Sequence, residues 1–236
     1  MLPLLGHDSR VLDCGCGPGS ITNDFGTLSP SGFVIGVDIE PNQCRAARQA
    51  AREIGIRNTF YETQDVLDLE FANETFDVVF AHALLEHVRE PDVAIAQMLR
   101  VLRPGGVVAL RSGDWSGLRL IPPSPAAQRC VSSYIALVRA SGGNAAGAEL
   151  GALLHAAGAE DIRGTVSEDT YRQPVLIADA LRAALRTSTD QSEPSRSTDD
   201  SCDALRDWAG APGSIWVERW KEALATKPRN GQPNRR

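Results

Sequence analysis

The sequence predicts an α/β fold: a Rossmann-like, mostly parallel sheet of seven strands with helices on both faces. Short apolar runs bounded by turn residues, such as residues 33–37, read as strands buried on both faces. These runs alternate with amphipathic segments from about residue 10 to residue 113, and such alternation favours parallel strands joined by helices. A chain of 236 residues is long enough for one domain of this kind.

The first predicted strand ends in a glycine-rich loop. Asp13 follows the apolar pair Val11-Leu12, and glycines then stand at alternate positions, at 15, 17 and 19. Glycine lets the backbone turn sharply and lets a ligand approach without meeting a Cβ atom. Ligands of open α/β sheets bind outside the carboxyl ends of the strands. The stretch therefore predicts a loop that binds a nucleotide-type cofactor.

The chemistry of the loop favours a cofactor without phosphate. A dinucleotide loop spaces its glycines G-x-G-x-x-G, but here Ser20 stands where the third glycine would be. Pro18 has no N–H to offer a pyrophosphate, and the carboxylate of Asp13 would repel one. A carboxylate does suit an ammonium group, which S-adenosylmethionine carries. The loop thus predicts S-adenosylmethionine as the cofactor.

The next elements follow the same alternation. Residues 20–28 predict the first helix, and the strand over 33–37 ends in Asp38. An acidic residue roughly 20 positions beyond the loop is placed to receive ribose hydroxyls. Pro41 opens a second helix that Gly55 ends, and residues 58–64 predict a third strand before Asp65.

The second half of the sheet comes from residues 76–113. We predict a fourth strand over 76–81, a helix over about 92–101 with one buried stripe, and a fifth strand over 107–110. A turn over 102–106 is expected to lead into that fifth strand. The loop over 112–117 then lies where this strand would deliver it to the ligand edge.

Four motifs in this order resemble those of class I S-adenosylmethionine-dependent methyltransferases. They are the D-x-G-x-G-x-G loop from Asp13, the F-D-V-V strand from Phe76, the h-x-x-L-x-H-h continuation from His82 and the L-x-P-G-G segment from Leu102. The resemblance implies transfer of a methyl group to a small organic acceptor. In that family the acid at 65 would contact the adenine amino group, and Val66 would contribute a backbone N–H. The implied cofactor-binding set is Asp13, Gly15, Cys16, Gly17, Gly19, Asp38, Ile39, Gln43, Asp65, Val66, Ala81 and His82.

Methyl transfer needs positioning more than covalent chemistry, so we expect no metal ligands. His82 is the candidate general base because it follows the fourth strand and imidazole titrates near neutrality. The alternative is that Ala81 and His82 line the cofactor pocket without exchanging protons. Asp114 and Trp115 are candidate acceptor contacts, with solvated loop residues as the alternative.

The organisation beyond residue 113 is less regular. We expect helices around 131–138, 150–157 and 175–186, a sixth strand over 159–170 and a mobile loop over 187–201. Residues 215–225 fit a last strand or a helix. We interpret 1–170 as the S-adenosylmethionine-binding Rossmann-like domain, and 171–226 as a C-terminal helical insertion with the last strand of the same domain. Residues 227–236 are interpreted as a disordered tail. The family that the motifs resemble usually carries more helical sequence before the glycine loop than the ten or so residues found here, so the resemblance implies a shortened N-terminal cover over the cofactor.

The composition disfavours several classes of binding partner. A net charge of −6 argues against binding nucleic acid through a basic surface, and no run of about 18 apolar residues suggests a membrane span. The five cysteines lack C-x-x-C pairs, which predicts neither a disulfide framework nor a zinc site and favours a reduced, cytoplasmic setting. We expect a small-molecule substrate, no nucleic acid and no membrane partner, and the sequence leaves a homodimer open.

Two other functions compete with methyl transfer. One is a binding protein, or a natural-product enzyme that uses S-adenosylmethionine on this fold without transferring its methyl group. The other is a nicotinamide-dependent oxidoreductase, which Asp13 and Pro18 disfavour.

Overall fold

The computed structural model describes residues 5–143, 146–187 and 196–229. The chain forms two compact units. The first comprises the segment up to Ser112, Ala146–Thr165 and the chain from Lys221 onward, and the second comprises Gly113–Ala145 and Val166–Trp220.

The first unit contains the alternating part of the chain. Its elements are β1 Arg10–Cys14, α1 Ser20–Leu28, β2 Phe33–Asp38, α2 Pro41–Glu53, β3 Thr59–Thr63, β4 Phe76–His82, α3 Pro91–Val101 and β5 Leu102–Gly113. A 3₁₀ turn spans Leu85–His87. Strands β1 to β5 lie in the order β3-β2-β1-β4-β5 and all four of their pairings are parallel. The predicted mostly parallel α/β fold is confirmed.

The second unit is mostly helical. It holds a 3₁₀ turn at Trp115–Gly117, β6 Arg119–Ile121, α4 Pro125–Ala140, α6 Val175–Thr187 and α7 Arg196–Gly210. The helix α5 Ala146–Ala156 belongs to the first unit, and the long strands β7 Glu160–Arg172 and β8 Ile215–Thr226 each contribute residues to both. Strand β6 pairs antiparallel with β8, and β7 also pairs with β8. The short β6 makes the sheet eight-stranded, one strand more than the sequence predicted.

The sheet of the first unit is buried on both faces, as its apolar runs predicted. Val11 and Leu12 are neighbours in β1 and both have no exposed surface. Because successive side chains of a strand point to opposite faces, each face has its own core. Val11 packs in a cluster with Phe25 of α1, whereas Leu12 packs in a cluster with Met98 of α3.

The second unit has a core of its own between α4, α6 and α7. Leu205 and Trp216 are among its fully buried side chains. The indole N–H of Trp208 donates to the carbonyl of Pro122 at 2.9 Å. The Sγ atoms of Cys130 and Cys202 lie 2.7 Å apart in this core.

The predicted loop over 187–201 is wrong for the residues from Arg196 onward, which begin α7. The segment is polar in part because Asp200 is exposed to solvent and Asp199 pairs with α6. Arg186 bonds Asp199 at 3.2 Å, and Arg182 bonds Asp203 at 2.6 Å. The apolar stripe that defines the helix begins only at Cys202. Residues 188–195 of that prediction lie outside the described residues.

The segment 102–106 is not a turn: β5 begins at Leu102 and continues through Gly113. The pairing with β4 shifts register between Phe76 and Val78, and Gly105 takes a φ of 73°. The irregularity is held by Lys227, whose backbone N–H donates to the carbonyl of Gly106 at 3.0 Å and whose carbonyl accepts from Gly105 at 2.9 Å. Lys227 is the first residue of the predicted tail, of which residues 230–236 lie outside the described residues. The segment 215–225, ambiguous in sequence, is a strand.

Asp77 joins the starts of three strands. Its carboxylate accepts from the backbone N–H of Arg10 at 2.7 Å and from the Arg10 guanidinium at 3.1 Å, and Arg103 Nε lies 2.6 Å away. Burial alone would raise the pKa of Asp77, but hydrogen bonds and charge from Arg10, with the charge of Arg103, lower it overall. The carboxylate thus stabilises the fold above its ordinary pKa, and this contribution is lost as pH falls through the lowered value.

We expect Asp77→Ala to lower the free energy of unfolding by about 1–3 kcal/mol, because it leaves the backbone N–H of Arg10 without its partner. Urea denaturation followed by circular dichroism measures this. Asp68→Ala, which removes an exposed carboxylate, is the control. Equal losses in the two variants would contradict the assignment.

Candidate cofactor-binding site

The glycine loop is a left-handed turn tied to the neighbouring strand. Gly15, Gly17 and Gly19 take φ values of 72°, 51° and 82°, a region that side chains other than glycine rarely adopt. The backbone N–H groups of Gly15 and Cys16 both donate to the carbonyl of Val37, at 2.8 and 2.9 Å. The loop therefore starts at the end of β1 but is anchored at the end of β2.

The three glycines differ in what a side chain would meet. A Cβ atom on Gly19 would lie 2.7 Å from Ala47 Cβ and from the Tyr61 hydroxyl. A Cβ on Gly15 would lie 3.0 Å from a methyl carbon of Leu84. A Cβ on Gly17 would meet nothing within 4 Å. Gly15 and Gly19 are therefore required by packing, whereas Gly17 leaves open space at the tip of the loop.

Asp13 lies beneath the loop rather than on its surface. Its side chain is 2% exposed and accepts a 2.6 Å hydrogen bond from the Thr22 hydroxyl of α1. Burial raises the pKa of Asp13 to about 7; the Thr22 bond opposes this rise and the nearby charge of Asp38 adds to it. The carboxylate holds the first turn of α1 against β1, and a direct contact with a cofactor ammonium stays a prediction.

Asp38 brings the ends of three strands together. One carboxylate oxygen accepts from the backbone N–H of Gly17 and the other from that of Glu40, each at 2.9 Å. The backbone N–H of Gln64, just beyond β3, donates to the carbonyl of Asp38 at 3.1 Å. The predicted ribose acceptor thus borders the open space at Gly17.

The remaining predicted contacts on this side lie around Asp38. Ile39 is 63% exposed, which is unusual for an isoleucine that directly follows a buried strand. Gln43 is exposed in the first turn of α2. Asp65 is exposed and accepts from the backbone N–H of Leu67 at 2.9 Å, as in a plain turn, while Val66 is buried in the core.

The end of β4 returns to the glycine loop. Ala81 is buried, and the half-buried ring of His82 stacks on Phe80 with centroids 6.4 Å apart. The following Ala83 has a φ of 53°, and this bend brings Leu84 against Gly15. His82 and the loop therefore belong to the same carboxyl edge of the sheet.

Glu86, in the 3₁₀ turn after β4, has a buried partner that no sequence motif indicated. The side chain is 2% exposed and accepts a 2.5 Å hydrogen bond from the Ser112 hydroxyl at the end of β5. No local pattern predicts this pair, because 26 residues separate its members.

The two candidate acceptor contacts lie in the second unit. Asp114 accepts from Arg219 Nε at 2.9 Å and from the Ser116 hydroxyl at 2.7 Å. Burial would raise the pKa of Asp114, but these bonds and the charge of Arg219 lower it overall. The ring of Trp115 packs edge-on against Tyr134 with centroids 5.9 Å apart. A contact of either residue with an acceptor stays a prediction.

Within residues 5–143, 146–187 and 196–229, no group of three or more His, Cys, Asp and Glu side chains is arranged to hold a metal ion. None of the helices in these ranges combines the length and apolarity required to cross a membrane.

The raised pKa of Asp13 predicts how stability depends on pH. Between its ordinary pKa of 3.8 and about 7, the folded protein keeps a proton on Asp13 that the unfolded chain releases. The free energy of unfolding therefore falls as pH rises through this interval, by up to about 4 kcal/mol. Asp13→Asn removes this contribution, so the variant gains stability relative to the wild type on going from pH 5 to pH 8. Urea denaturation at both pH values measures this difference in the free energy of unfolding between the variant and the wild type.

Asp24→Asn is the matched control, because it removes an exposed carboxylate from the same region of α1. If the difference in the free energy of unfolding between the wild type and Asp13→Asn is the same at pH 5 and at pH 8, the raised pKa of Asp13 is refuted.

The chain was compared with known proteins. The family model described as "Methyltransferase domain" matches residues 5–158. The 27-O-demethylrifamycin SV methyltransferase of Amycolatopsis mediterranei is 37% identical over 127 residues, which are 53% of this chain and 44% of that protein. The chain spans less than half the length of the first curated relatives that it matches.

Solved structures give the same fold. The YcgJ protein of Bacillus subtilis superposes with a TM-score of 0.63 at 19% identity, over 95% of this chain and 94% of that one. The phosphoethanolamine N-methyltransferase 2 of Haemonchus contortus, solved in complex with S-adenosyl-L-methionine, has a TM-score of 0.64 at 18% identity, over 95% of this chain and 50% of that one. At these identities the likeness concerns the fold alone. Because the family model covers more than half of the 236 residues, the chain belongs to the methyltransferase domain family.

Proposed function

We propose that this chain binds S-adenosylmethionine at the carboxyl edge of β1, β2, β3 and β4 and transfers its methyl group to a small organic acceptor. The observation that carries the proposal is the open space at Gly17, which the Asp38 carboxylate borders. Membership of the methyltransferase domain family supports it, and no observation favours a non-methylating enzyme or a nicotinamide-dependent one.

The residues at this edge fit the adenosine part of the cofactor. A carboxylate accepts hydrogen bonds from two vicinal hydroxyls, which is the role proposed for Asp38. The exposed Ile39 offers an apolar surface for a purine ring beside it. Asp65 would accept from the adenine amino group and Val66 would contribute its backbone N–H.

The residues of the loop fit the amino acid part. Left-handed glycines turn the backbone back on itself without a Cβ atom at Gly17, so a ligand can approach the main chain closely. Pro18 offers no N–H, and the buried Asp13 adds negative charge when ionised, so the loop suits an ammonium group better than a phosphate.

S-adenosylmethionine held at this edge would supply a methyl group on a positively charged sulfur, so that a bond from an acceptor lone pair to the methyl carbon would replace the methyl–sulfur bond and S-adenosylhomocysteine would be the leaving group. The contribution of the chain is to hold the acceptor in line and to exclude water. His82 is the proposed base for an acceptor that must lose a proton, because its ring lies at this edge on Phe80. Lining the pocket without proton transfer is the alternative role for Ala81 and His82.

The names of similar proteins support the substrate class and the cofactor. The rifamycin relative is named as a methyltransferase of a small molecule, and the Haemonchus structure holds S-adenosyl-L-methionine. A reducing, cytoplasmic setting is proposed because the five cysteines of the sequence form no C-x-x-C pairs.

Calorimetric titration with S-adenosylhomocysteine tests the proposal directly. We expect the wild type to bind and Asp38→Ala to bind about 10- to 100-fold more weakly, the effect of losing hydrogen bonds worth about 1–3 kcal/mol. Glu53→Gln, which changes an exposed carboxylate at the far end of α2, is expected to bind like the wild type. Absence of binding to the wild type at millimolar ligand would disprove the function.

A pair of glycine variants separates binding from folding. Gly17→Ala is expected to cost only about 1 kcal/mol of stability for its positive φ but to weaken S-adenosylhomocysteine binding at least about tenfold, because the new methyl group occupies the ligand space. Gly19→Ala is expected to cost a further 1–3 kcal/mol or so of stability, because its Cβ meets Ala47 and Tyr61. Urea denaturation and calorimetry on both variants test this. A Gly17→Ala variant less stable than Gly19→Ala would contradict the assignment of the open space to Gly17.

A further inference from the structure

The first unit contains an apolar cavity that the proposed cofactor site does not use. Its volume is about 510 Å³, and its walls come from α1 and from the strands β4, β5, β7 and β8. The apolar wall consists of Ile21, Phe25, Phe80, Ala109 and Leu224. These side chains belong to the core cluster under α1, or pack against it. A volume of this size suits an organic ligand of one to three rings.

One end of the cavity is polar and carries excess positive charge. Arg111 Nε bonds the Glu222 carboxylate at 3.2 Å, and the Thr165 hydroxyl donates to the other oxygen of Glu222 at 2.9 Å. Arg163, which is exposed, also lines this end. Two guanidinium groups and one carboxylate therefore line this end, and this combination complements a ligand with one acidic group.

One end of the cavity lies level with the last residue of β4, because Arg111, which lines the cavity, pairs with His82. Phe80 and Ala109 line the cavity, and His82 and Arg111, two residues further along each strand, lie opposite each other in the β4–β5 pairing. Alternate residues of a strand share a face, so His82 stands on the same face as the cavity, and its ring stacks on Phe80. Ile21, on the other wall, lies two residues beyond Gly19.

We propose that this cavity receives the methyl acceptor, and that the acceptor is a largely apolar molecule with one acidic group. The inference rests on the proposed function and specifies its substrate class. The apolar body lies between Phe25 and Leu224, and the acidic group lies at the Arg111 and Arg163 end. The part of the acceptor nearest His82 is then the part that faces the proposed cofactor edge.

The test uses anilinonaphthalene sulfonate, which has an apolar aromatic body and one acidic group, and follows its fluorescence on binding to the full chain. We expect Ala109→Leu to weaken binding about tenfold or more by filling the cavity, and Arg163→Glu to weaken it similarly by reversing a charge. Arg163 is exposed, so Arg163→Glu keeps the test decisive if the larger side chain at 109 disturbs folding. Arg57→Glu, an exposed arginine outside the cavity, is the control and is expected to bind like the wild type.

A second titration places the probe relative to the cofactor site. An acceptor and the spent cofactor must occupy the protein together. Saturation with S-adenosylhomocysteine is therefore expected to change the dissociation constant of the probe by no more than about threefold. The two cavity variants are expected to keep their affinity for S-adenosylhomocysteine. Displacement of the probe by S-adenosylhomocysteine overturns the inference, as does equal binding of the probe to wild type, Ala109→Leu and Arg163→Glu.

Sedimentation of the wild type distinguishes the remaining outcomes. A dimer that excludes the probe means that a second copy covers this face, and a monomer that does not bind the probe means that the cavity takes no such ligand; both overturn the inference. If the wild type binds the probe as expected but not S-adenosylhomocysteine, the proposed function fails, and the acceptor assignment fails with it while the cavity stays a ligand site.

Discussion

The carbonyl of Val37 is the acceptor on which the candidate site depends. It receives the N–H groups of Gly15 and Cys16, so the loop that ends β1 is fixed by the neighbouring strand rather than by its own residues. This is achievable only because β1 and β2 are parallel and in register, with Cys14 opposite Val37. Parallel pairing also places the ends of β3 and β4 at the same edge, which is where ligands bind in sheets of this kind.

Close packing against the loop explains the small residues around it. Gly36, in the middle of β2, has Cys16 and Tyr61 so near that a Cβ atom would lie 2.8 and 2.9 Å from their carbons. Cys16 is therefore buried in the loop as a small apolar residue rather than as a metal ligand. Burial also raises the pKa of its thiol, which agrees with that structural role.

Two buried carboxylates, Asp13 and Glu86, support the candidate site from beneath it. Each accepts a hydroxyl hydrogen bond, from Thr22 and Ser112 respectively. Polar groups without a hydrogen-bond partner are costly to bury, so these pairs fix the first turn of α1 and the end of β5 in place. The groups left at the surface of the edge, Asp38 and His82, are those to which binding and proton transfer are proposed.

The sequence alone determined the elements whose signals are local. The helix predicted over residues 20–28 and the strand over 33–37 match α1 and β2 because Pro, Gly and a continuous apolar run mark their ends within a few residues. The motifs were sufficient to place the chain in its family.

Tertiary structure decided what depends on distant partners. Hydrogen bonds to Lys227 hold the segment 102–106, expected to be a turn, as part of β5. An ion pair with α6 stabilises the polar start of α7. A hydrogen bond from Thr22 holds the Asp13 side chain beneath the loop. Which glycine faces open space was likewise decided by Ala47, Tyr61 and Leu84, because a sequence pattern records spacing but not the neighbours that folding brings into contact.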